Sequence, residues 1–333
     1  MSNRYQVIAC DGIKSSKAAV TSGVPQGTVL GPVLFLILIL DISSKVSEGT
    51  RVSSFADDTR ASKGMTNSGD PIQLQKDLES IYEWANIVNM EFNGDKFESI
   101  RYWPDKDLGA VFKEEFKYKN EDGNIIEEKD DIKDLGILLS NDLTFTKHIN
   151  KVTLACSKMV GWTMRTFKTR SAHIMLTIFK SIIQSRLDYC SQLWSPTSAS
   201  EIGKLEDIQR HFTKRIEGME GLNYRQRLAK LHLYSQERRR DRYMVIFIWK
   251  AAMGLIDGYD FTFSGQQTRR GRECSVAEIV RDSPSTVRRA REGAKMFNLL
   301  PADVRNIDSD NVNQFKKKLD DFLKQIPDQP TNY

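Results

Sequence analysis

Apolar positions in the first 140 residues change period several times, whereas those beyond residue 145 keep a helical period almost throughout. Arg4 to Ala9 and Lys17 to Thr21 predict short strands turning at Asp11-Gly12. Ser22 to Gly27, rich in Gly, Pro and small polar residues, reads as a loop. Pro32 to Leu40 is continuously apolar and predicts a buried helix, and Val52 to Phe55 predicts a strand that stops at a polar turn. From Pro71 onward, Leu74, Leu78, Ile81, Ala85 and Val88 recur at helical spacing until Asn93-Gly94-Asp95 ends the run. Phe97 to Tyr102 then predicts a strand. The charge-rich stretch Asp105 to Asp131 predicts an exposed hairpin or insertion, and Ile132 to Ser140, turning at Ser140-Asn141-Asp142, a further strand pair.

Three amphipathic helices follow. Ile149, Val152, Cys156 and Met159 mark the first. Met175, Ile178, Phe179, Ile182 and Ile183 fall at i, i+3, i+4, i+7 and i+8 and mark the second. Ile202, Leu205, Ile208, Phe212 and Ile216 mark the third, after Ser195-Pro196. Tyr243 to Trp249 is apolar on all sides and predicts the centre of a C-terminal helical bundle. Gly265 to Arg272 is a basic loop, and Val312 to Gln325 the last helix. The pattern is that of an α+β chain with its strands at the front.

Composition narrows the class. With 333 residues, 40% hydrophobic and 28% charged, the chain is long enough for two or three cored domains and too apolar for disorder. Charge is divided unevenly: residues 1–140 carry 16 Lys and Arg against 23 Asp and Glu, residues 141–333 carry 33 against 21. An acidic part joined to a basic part suggests a metal or catalytic site beside a surface for polyanions. Cys10, Cys156, Cys190 and Cys274 show no CxxC spacing and read as free, buried thiols in a reducing compartment. His148, His173, His211 and His232 show no HExxH spacing, so zinc chemistry is not expected. No signal peptide follows the polar N-terminus. The apolar run Val29 to Leu40 would span roughly 18 Å as a helix, short of a hydrocarbon core of about 30 Å. The expectation is therefore an intracellular protein, in nucleus or cytoplasm, with no membrane partner.

Two motifs carry the candidate chemistry. Thr21-Ser22-Gly23-Val24-Pro25-Gln26-Gly27-Thr28-Val29-Leu30-Gly31-Pro32 precedes the apolar helix, and Ser53-Ser54-Phe55-Ala56-Asp57-Asp58-Thr59 follows about 30 residues on. A lone carboxylate pair at a strand tip is ordinarily a solvated turn. In this order and at this spacing, however, the two motifs resemble the reverse transcriptases of non-LTR (LINE-type, jockey-like) retrotransposons. Leu74 to Asn93 followed by Lys96 resembles that family's helix-plus-lysine motif, and Asp134 to Ile149 its next hairpin and thumb beginning. Ser185 to Pro196, the helix through Lys214-Arg215, and Phe297 to Pro301 resemble the region beyond the polymerase core.

The resemblance implies a partial polymerase palm (antiparallel sheet with packed helices) over 1–145, a helical thumb over 146–220 and a helical basic C-terminal region over 221–333. It implies RNA-directed DNA synthesis by two-Mg²⁺ nucleotidyl transfer on an RNA template and DNA primer, with dNTP as substrate. Asp57 and Asp58 would be metal ligands, and Lys96 an electrostatic clamp or general acid near the outgoing pyrophosphate. Ser22, Gly23, Pro25, Gln26 and Gly27, with Phe55 and Ala56, would face the nascent base pair. Lys204, His211, Lys214 and Arg215 share one side of a helical wheel, and Arg238 to Arg242, Arg269 to Arg272 and Arg288 to Arg291 add cationic clusters able to neutralise phosphates. Family members carry another catalytic aspartate on a strand upstream of the Ser22–Gly27 loop, preceded by a fingers region. None of the 21 residues before Ser22 resembles that strand, so the expectation is a C-terminal reverse-transcriptase part that is inactive alone. The alternatives are a non-catalytic RNA- or DNA-binding remnant and a decayed open reading frame.

Overall fold

A computed structural model describes residues 4–20, 23–24, 27–102, 116–256, 267–268, 271–272, 285–307 and 311–330. They divide into two compact units, one of Met1–Arg101 with Asp105–Lys129 and one of Tyr102–Pro104 with Asp130–Tyr333.

In the first unit, β1 (Arg4–Gln6) pairs antiparallel with β4 (Ala18–Val20), and β2 (Ala9–Cys10) with β3 (Ile13–Lys14). Asp11 and Gly12, at φ +50° and +81°, make the expected two-residue turn. Helix α1 (Leu30–Leu40) leads through a 3₁₀ turn to the hairpin of β5 (Thr50–Phe55) and β6 (Asp58–Lys63). Helix α2 (Asp70–Ile87) has Pro71 in its first turn, where a missing N–H costs nothing. The expected strand Phe97–Tyr102 is only β7 (Glu98–Ser99), which pairs parallel with β8 (Glu127–Glu128). Within the charge-rich stretch, Lys119 and Ile125 bridge antiparallel around an exposed turn, as an exposed hairpin requires, while Tyr118 and Ile126 are buried against Leu74. The strands thus form small separate pairs.

Two apolar clusters hold this unit. Ile39 and Ile42 pack with Ile81, Trp84 and Ala85 of α2, and Val52 and Ala61 join from the hairpin's base. The expectation of a buried α1 is corrected: only Gly31 and Ile39 are buried, while Leu36, Ile37 and Leu40 are 51%, 60% and 71% exposed. A helix apolar on every side needs cover on every side, and α2 together with the β5–β6 base covers one. Among the described residues no helix is long and apolar enough to cross a membrane.

One buried carboxylate fastens the hairpin to α2. Asp77, 3% exposed, accepts hydrogen bonds from the Ser47 N–H (2.9 Å), Ser47 Oγ (2.8 Å), Thr50 Oγ1 (2.5 Å) and Gln73 Nε2 (3.2 Å). Burial pushes its pKa up, but the donors from Thr50, Ser47 and Gln73 outweigh that and hold it below the usual carboxylate range. Lys63 Nζ donates to Thr50 Oγ1 and to the Glu48 carbonyl, closing the same end of the hairpin.

The second unit opens with a hairpin of β9 (Asp131–Asp134) and β10 (Ile137–Ser140). Its turn is Leu135-Gly136, at φ +44° and +89°, and not the expected Ser140-Asn141-Asp142. Two left-handed residues match the strand twist, and Gly136 supplies the second at no steric cost.

Helices then dominate: α3 (Thr146–Thr166), α4 (Ala172–Ile178) continuing through the π-helical Phe179–Gln184 into α5 (Ser185–Asp188), α6 (Ser191–Trp194) and α7 (Ala199–Thr213). Ile149, Cys156, Phe179, Ile183, Leu187, Leu205 and Phe212 form their common core. Next come α8 (Tyr224–Leu231), α9 (Gln236–Ala252), the short pair β11 (Gln267–Thr268) and β12 (Gly271–Arg272), then α10 (Ser285–Asn298), α11 (Ala302–Arg305) and α12 (Val312–Gln325). Asn223 and Gln226 form a reciprocal capping box at α8, and Ser198, Ser235 and Asn311 cap α7, α9 and α12, each worth about 1 kcal/mol. Met244, Ile248 and Trp249 are the expected bundle centre, with Trp249 stacked on Phe315 at 4.4 Å. Of the cysteines, Cys156 is buried as expected; Cys10 and Cys190 are exposed, and Cys274 lies outside the described residues.

The α9–α10 contact depends on Gly293, where an added Cβ would stand 2.4 Å from Met244 Cγ. Gly293→Ala should lower the second unit's stability by about 1–3 kcal/mol through overpacking, measured by chemical denaturation; an unchanged midpoint contradicts the close approach. Asp77→Asn should cost the first unit about 1–3 kcal/mol, seen as faster amide exchange across β5 and α2. Because Asp77 has a depressed folded pKa, its contribution is complete above the unfolded value of about 3.9 and is lost as pH falls through the folded one. Protection in β5, corrected for intrinsic exchange, should therefore drop below about pH 4 in the parent chain and not in Asp77→Asn.

Candidate functional site

The candidate site is the tip of the β5–β6 hairpin. Phe55 pairs with Asp58 across a two-residue turn of Ala56 and Asp57. Ala56 sits at φ +54°, a left-handed position that costs a non-glycine residue roughly 1–2 kcal/mol. The burial pattern explains the projection. Thr50 is buried and Val52 and Ala61 half-buried at the base, whereas Phe55, Ala56, Asp57 and Asp58 are all exposed. Ser54 and Thr59 share a hydroxyl–hydroxyl hydrogen bond of 3.1 Å just below the turn. The carboxylates of Asp57 and Asp58 make no hydrogen bond or ion pair with the described residues, leaving their oxygens open to outside ligands.

The other expected residues are placed unevenly. Ser22, Pro25 and Gln26 lie outside the described residues. Gly23 and Gly27 take φ +76° and +79°, and a Cβ on either would meet nothing within 4 Å, so a ligand can approach this backbone closely. The Gly23 carbonyl accepts a 2.6 Å hydrogen bond from Arg4 Nη2, which ties the loop to β1. Thr28 Oγ1 accepts from the Gly31 N–H at 3.1 Å and starts α1. Lys96 is exposed in the 3₁₀ turn Gly94–Lys96 beyond α2, and its ammonium has no described partner. The turn is anchored by the mutual edge contacts of Tyr82, Phe92 and Phe97, with centroids 5.8–5.9 Å apart. No direct bond among the described residues links Lys96 to Asp57 or Asp58.

Among the described residues no group of three or more His, Cys, Asp or Glu is arranged to hold a metal. Asp57 and Asp58 are the residues that could hold one. Two neighbouring carboxylates without other partners suit a hard cation that takes its remaining oxygens from water or phosphate, and do not suit an all-protein cage.

In the second unit, Lys204 Nζ donates to Asn150 Oδ1 at 2.8 Å, while His211, Lys214 and Arg215 are exposed at the end of α7 and just beyond it. The cluster Arg238 to Arg242 is corrected. Arg238 donates to the Leu323, Ile326 and Pro327 carbonyls, Arg239 makes a bidentate pair with Asp188, and Arg242 pairs with Asp320. Arg240 is buried and donates to the Gln236 carbonyl. Arg238, Arg239 and Arg242 thus fasten α9 to neighbouring segments, while the Arg240 bond stays within α9. Arg269 and Arg270 and the side chains of Arg272 and of Arg288 to Arg291 lie outside the described residues.

Asp77 was missed by sequence reasoning: a single carboxylate on a helix looks solvated until Ser47 and Thr50 are brought to it.

Comparison with known proteins follows the same residues. Residues 2–139 match the family model of reverse transcriptase (RNA-dependent DNA polymerase). The chain is 27% identical over 221 residues to the RNA-directed DNA polymerase from mobile element jockey of Drosophila melanogaster, and 25% over 225 residues to that of Drosophila funebris. Each match covers 63% of this chain and 23% of the relative. A third relative, the probable RNA-directed DNA polymerase from transposon X-element of Drosophila melanogaster, is 28% identical over 217 residues, 62% of this chain and again 23% of the relative. The chain thus spans about a quarter of the length of these relatives. Residues 2–139 are thus similar to reverse transcriptase, and the chain to the polymerases of these mobile elements.

Proposed function

We propose that the chain is a fragment of the RNA-directed DNA polymerase of a non-LTR retrotransposon, with residues 1–145 as palm, 146–220 as thumb and 221–333 as a basic helical extension. The observation that carries this reading is the exposed, unpartnered Asp57-Asp58 pair at the hairpin tip, inside the region that matches reverse transcriptase. Its substrates in this reading are an RNA template, a DNA primer and dNTP.

Asp57 and Asp58 would hold Mg²⁺ together with substrate phosphates and water. When bound, the metal supplies activation of the attacking 3′-hydroxyl and stabilisation of the leaving oxygen. The chain's own residues do the positioning. The open backbone of Gly23 and Gly27 lets a base pair approach, and Phe55 and Ala56 border the carboxylates. The Lys96 ammonium offers charge to an outgoing pyrophosphate. Lys204, Lys214 and Arg215 meet backbone phosphates, as the excess of 33 Lys and Arg over 21 Asp and Glu in residues 141–333 favours. That same excess supports a second reading, non-catalytic nucleic-acid binding by residues 141–333.

Among the described residues no third carboxylate joins Asp57 and Asp58, so this chain alone is inactive in our reading. Purified residues 1–333 should not extend a DNA primer on an RNA template with Mg²⁺ or Mn²⁺. Template-dependent extension that disappears in Asp57→Ala would contradict the inactivity and show that Asp57 is required for it.

A further inference from the structure

A cavity of about 460 Å³ in the second unit lies where α3, α5 and the β9–β10 turn meet. Helix α3 contributes His148, Lys151, Val152 and Ala155, which at i, i+3, i+4 and i+7 share one face. Ser185 and Arg186 of α5, the following Tyr189, and Gly136 complete the lining. The lining holds a lysine and an arginine and no carboxylate. Lys151 and Arg186 are exposed at the rim, and neither side chain forms a hydrogen bond or ion pair with the described residues. Some cations elsewhere in this unit are consumed internally, as Arg239 is by Asp188 and Arg242 by Asp320.

The cavity is also built. Tyr189 OH donates to the Leu135 carbonyl at 2.7 Å, fixing the ring against the left-handed Leu135-Gly136 turn. A Cβ at Gly136 would stand in ordinary contact with Tyr189 Cε1 at 3.6 Å, and the φ of +89° there disfavours any residue but glycine. His148 is buried and in edge contact with Trp194 at 5.2 Å, and its Nδ1 accepts the Leu138 N–H at 3.2 Å. Burial, and then Lys151, hold its pKa below the ordinary histidine value. A neutral ring accepting at Nδ1 carries its proton at Nε2, so it offers a donor and no repelling charge.

We infer that this cavity binds the phosphate groups of a nucleic-acid strand, with Lys151 and Arg186 as the charged contacts and Tyr189, Ser185 and His148 as a polar wall. The inference rests on the nucleic-acid reading above but selects a site distinct from Lys204, Lys214 and Arg215. Phosphate contacts of this type fix a strand without reading sequence.

The test is fluorescence anisotropy of the full chain with a labelled single-stranded RNA, repeated over a salt series. Lys151→Ala/Arg186→Ala should flatten the slope of log K against log salt by about 1.4, for two lost contacts on a single strand. The charge-preserving Lys151→Arg/Arg186→Lys should retain the parent slope, which separates charge from packing. If Lys151→Ala/Arg186→Ala binds with the parent slope while the parent binds RNA, the cavity assignment falls and the nucleic-acid reading stands. Absence of RNA binding by the parent at low salt overturns both. If inorganic phosphate or dNTP binds saturably through Lys151 and Arg186 while the RNA slope is unmoved, the site takes free phosphate and the strand assignment is wrong.

Discussion

The buried carboxylate of Asp77 is the constraint on which the candidate site depends. A hairpin of two six-residue strands is marginal alone, and β5–β6 carries its candidate site residues at the exposed tip, away from its packed base. It gains rigidity at the base, where Val52 and Ala61 join the cluster on α2. There Asp77 gathers the Ser47 N–H and the hydroxyls of Ser47 and Thr50. Hydrogen bonds to a charged acceptor are stronger than neutral ones, and each removes a donor that burial would otherwise leave unmet. The direction of the strand, and so the place where Asp57 and Asp58 emerge, follows from that fastening.

The strong periodicities were legible in the sequence. Helix α2, the three amphipathic helices of the second unit and the apolar centre of α9 all appear where Leu, Ile and Val recur at helical spacing. The hairpin tip was legible because Phe55 to Thr59 combines a strand end with two carboxylates. Other features were hidden because their causes are tertiary. Strand β6 (Asp58–Lys63) is polar and reveals itself only through pairing with β5. The β9–β10 turn was misplaced because Leu135 is a poor turn residue by composition, and Gly136 alone does not announce a left-handed pair. Apolarity predicted burial for α1, yet burial requires a partner for every face, which is a property of neighbours and not of the helix.

Charge was the least transparent signal. The basic excess beyond residue 140 suggests one cationic surface, but the structure divides it. Arg238, Arg239 and Arg242 meet carbonyls or carboxylates inside the helical unit, where planar guanidinium geometry suits bidentate pairing. Lys151, Arg186, Lys214 and Arg215 keep exposed side chains. Counting cations therefore overstates the available field, and partner geometry decides which of them can meet a polyanion.

The central claim is that the Asp57-Asp58 turn holds a divalent cation jointly with substrate phosphates. The most direct measurement is electron paramagnetic resonance of Mn²⁺ titrated into the full chain, with and without dNTP, in the parent and in Asp57→Asn/Asp58→Asn. The account predicts weak Mn²⁺ binding that tightens with dNTP in the parent and shows no such tightening in the double variant. Equal Mn²⁺ binding and equal tightening in both proteins would contradict it.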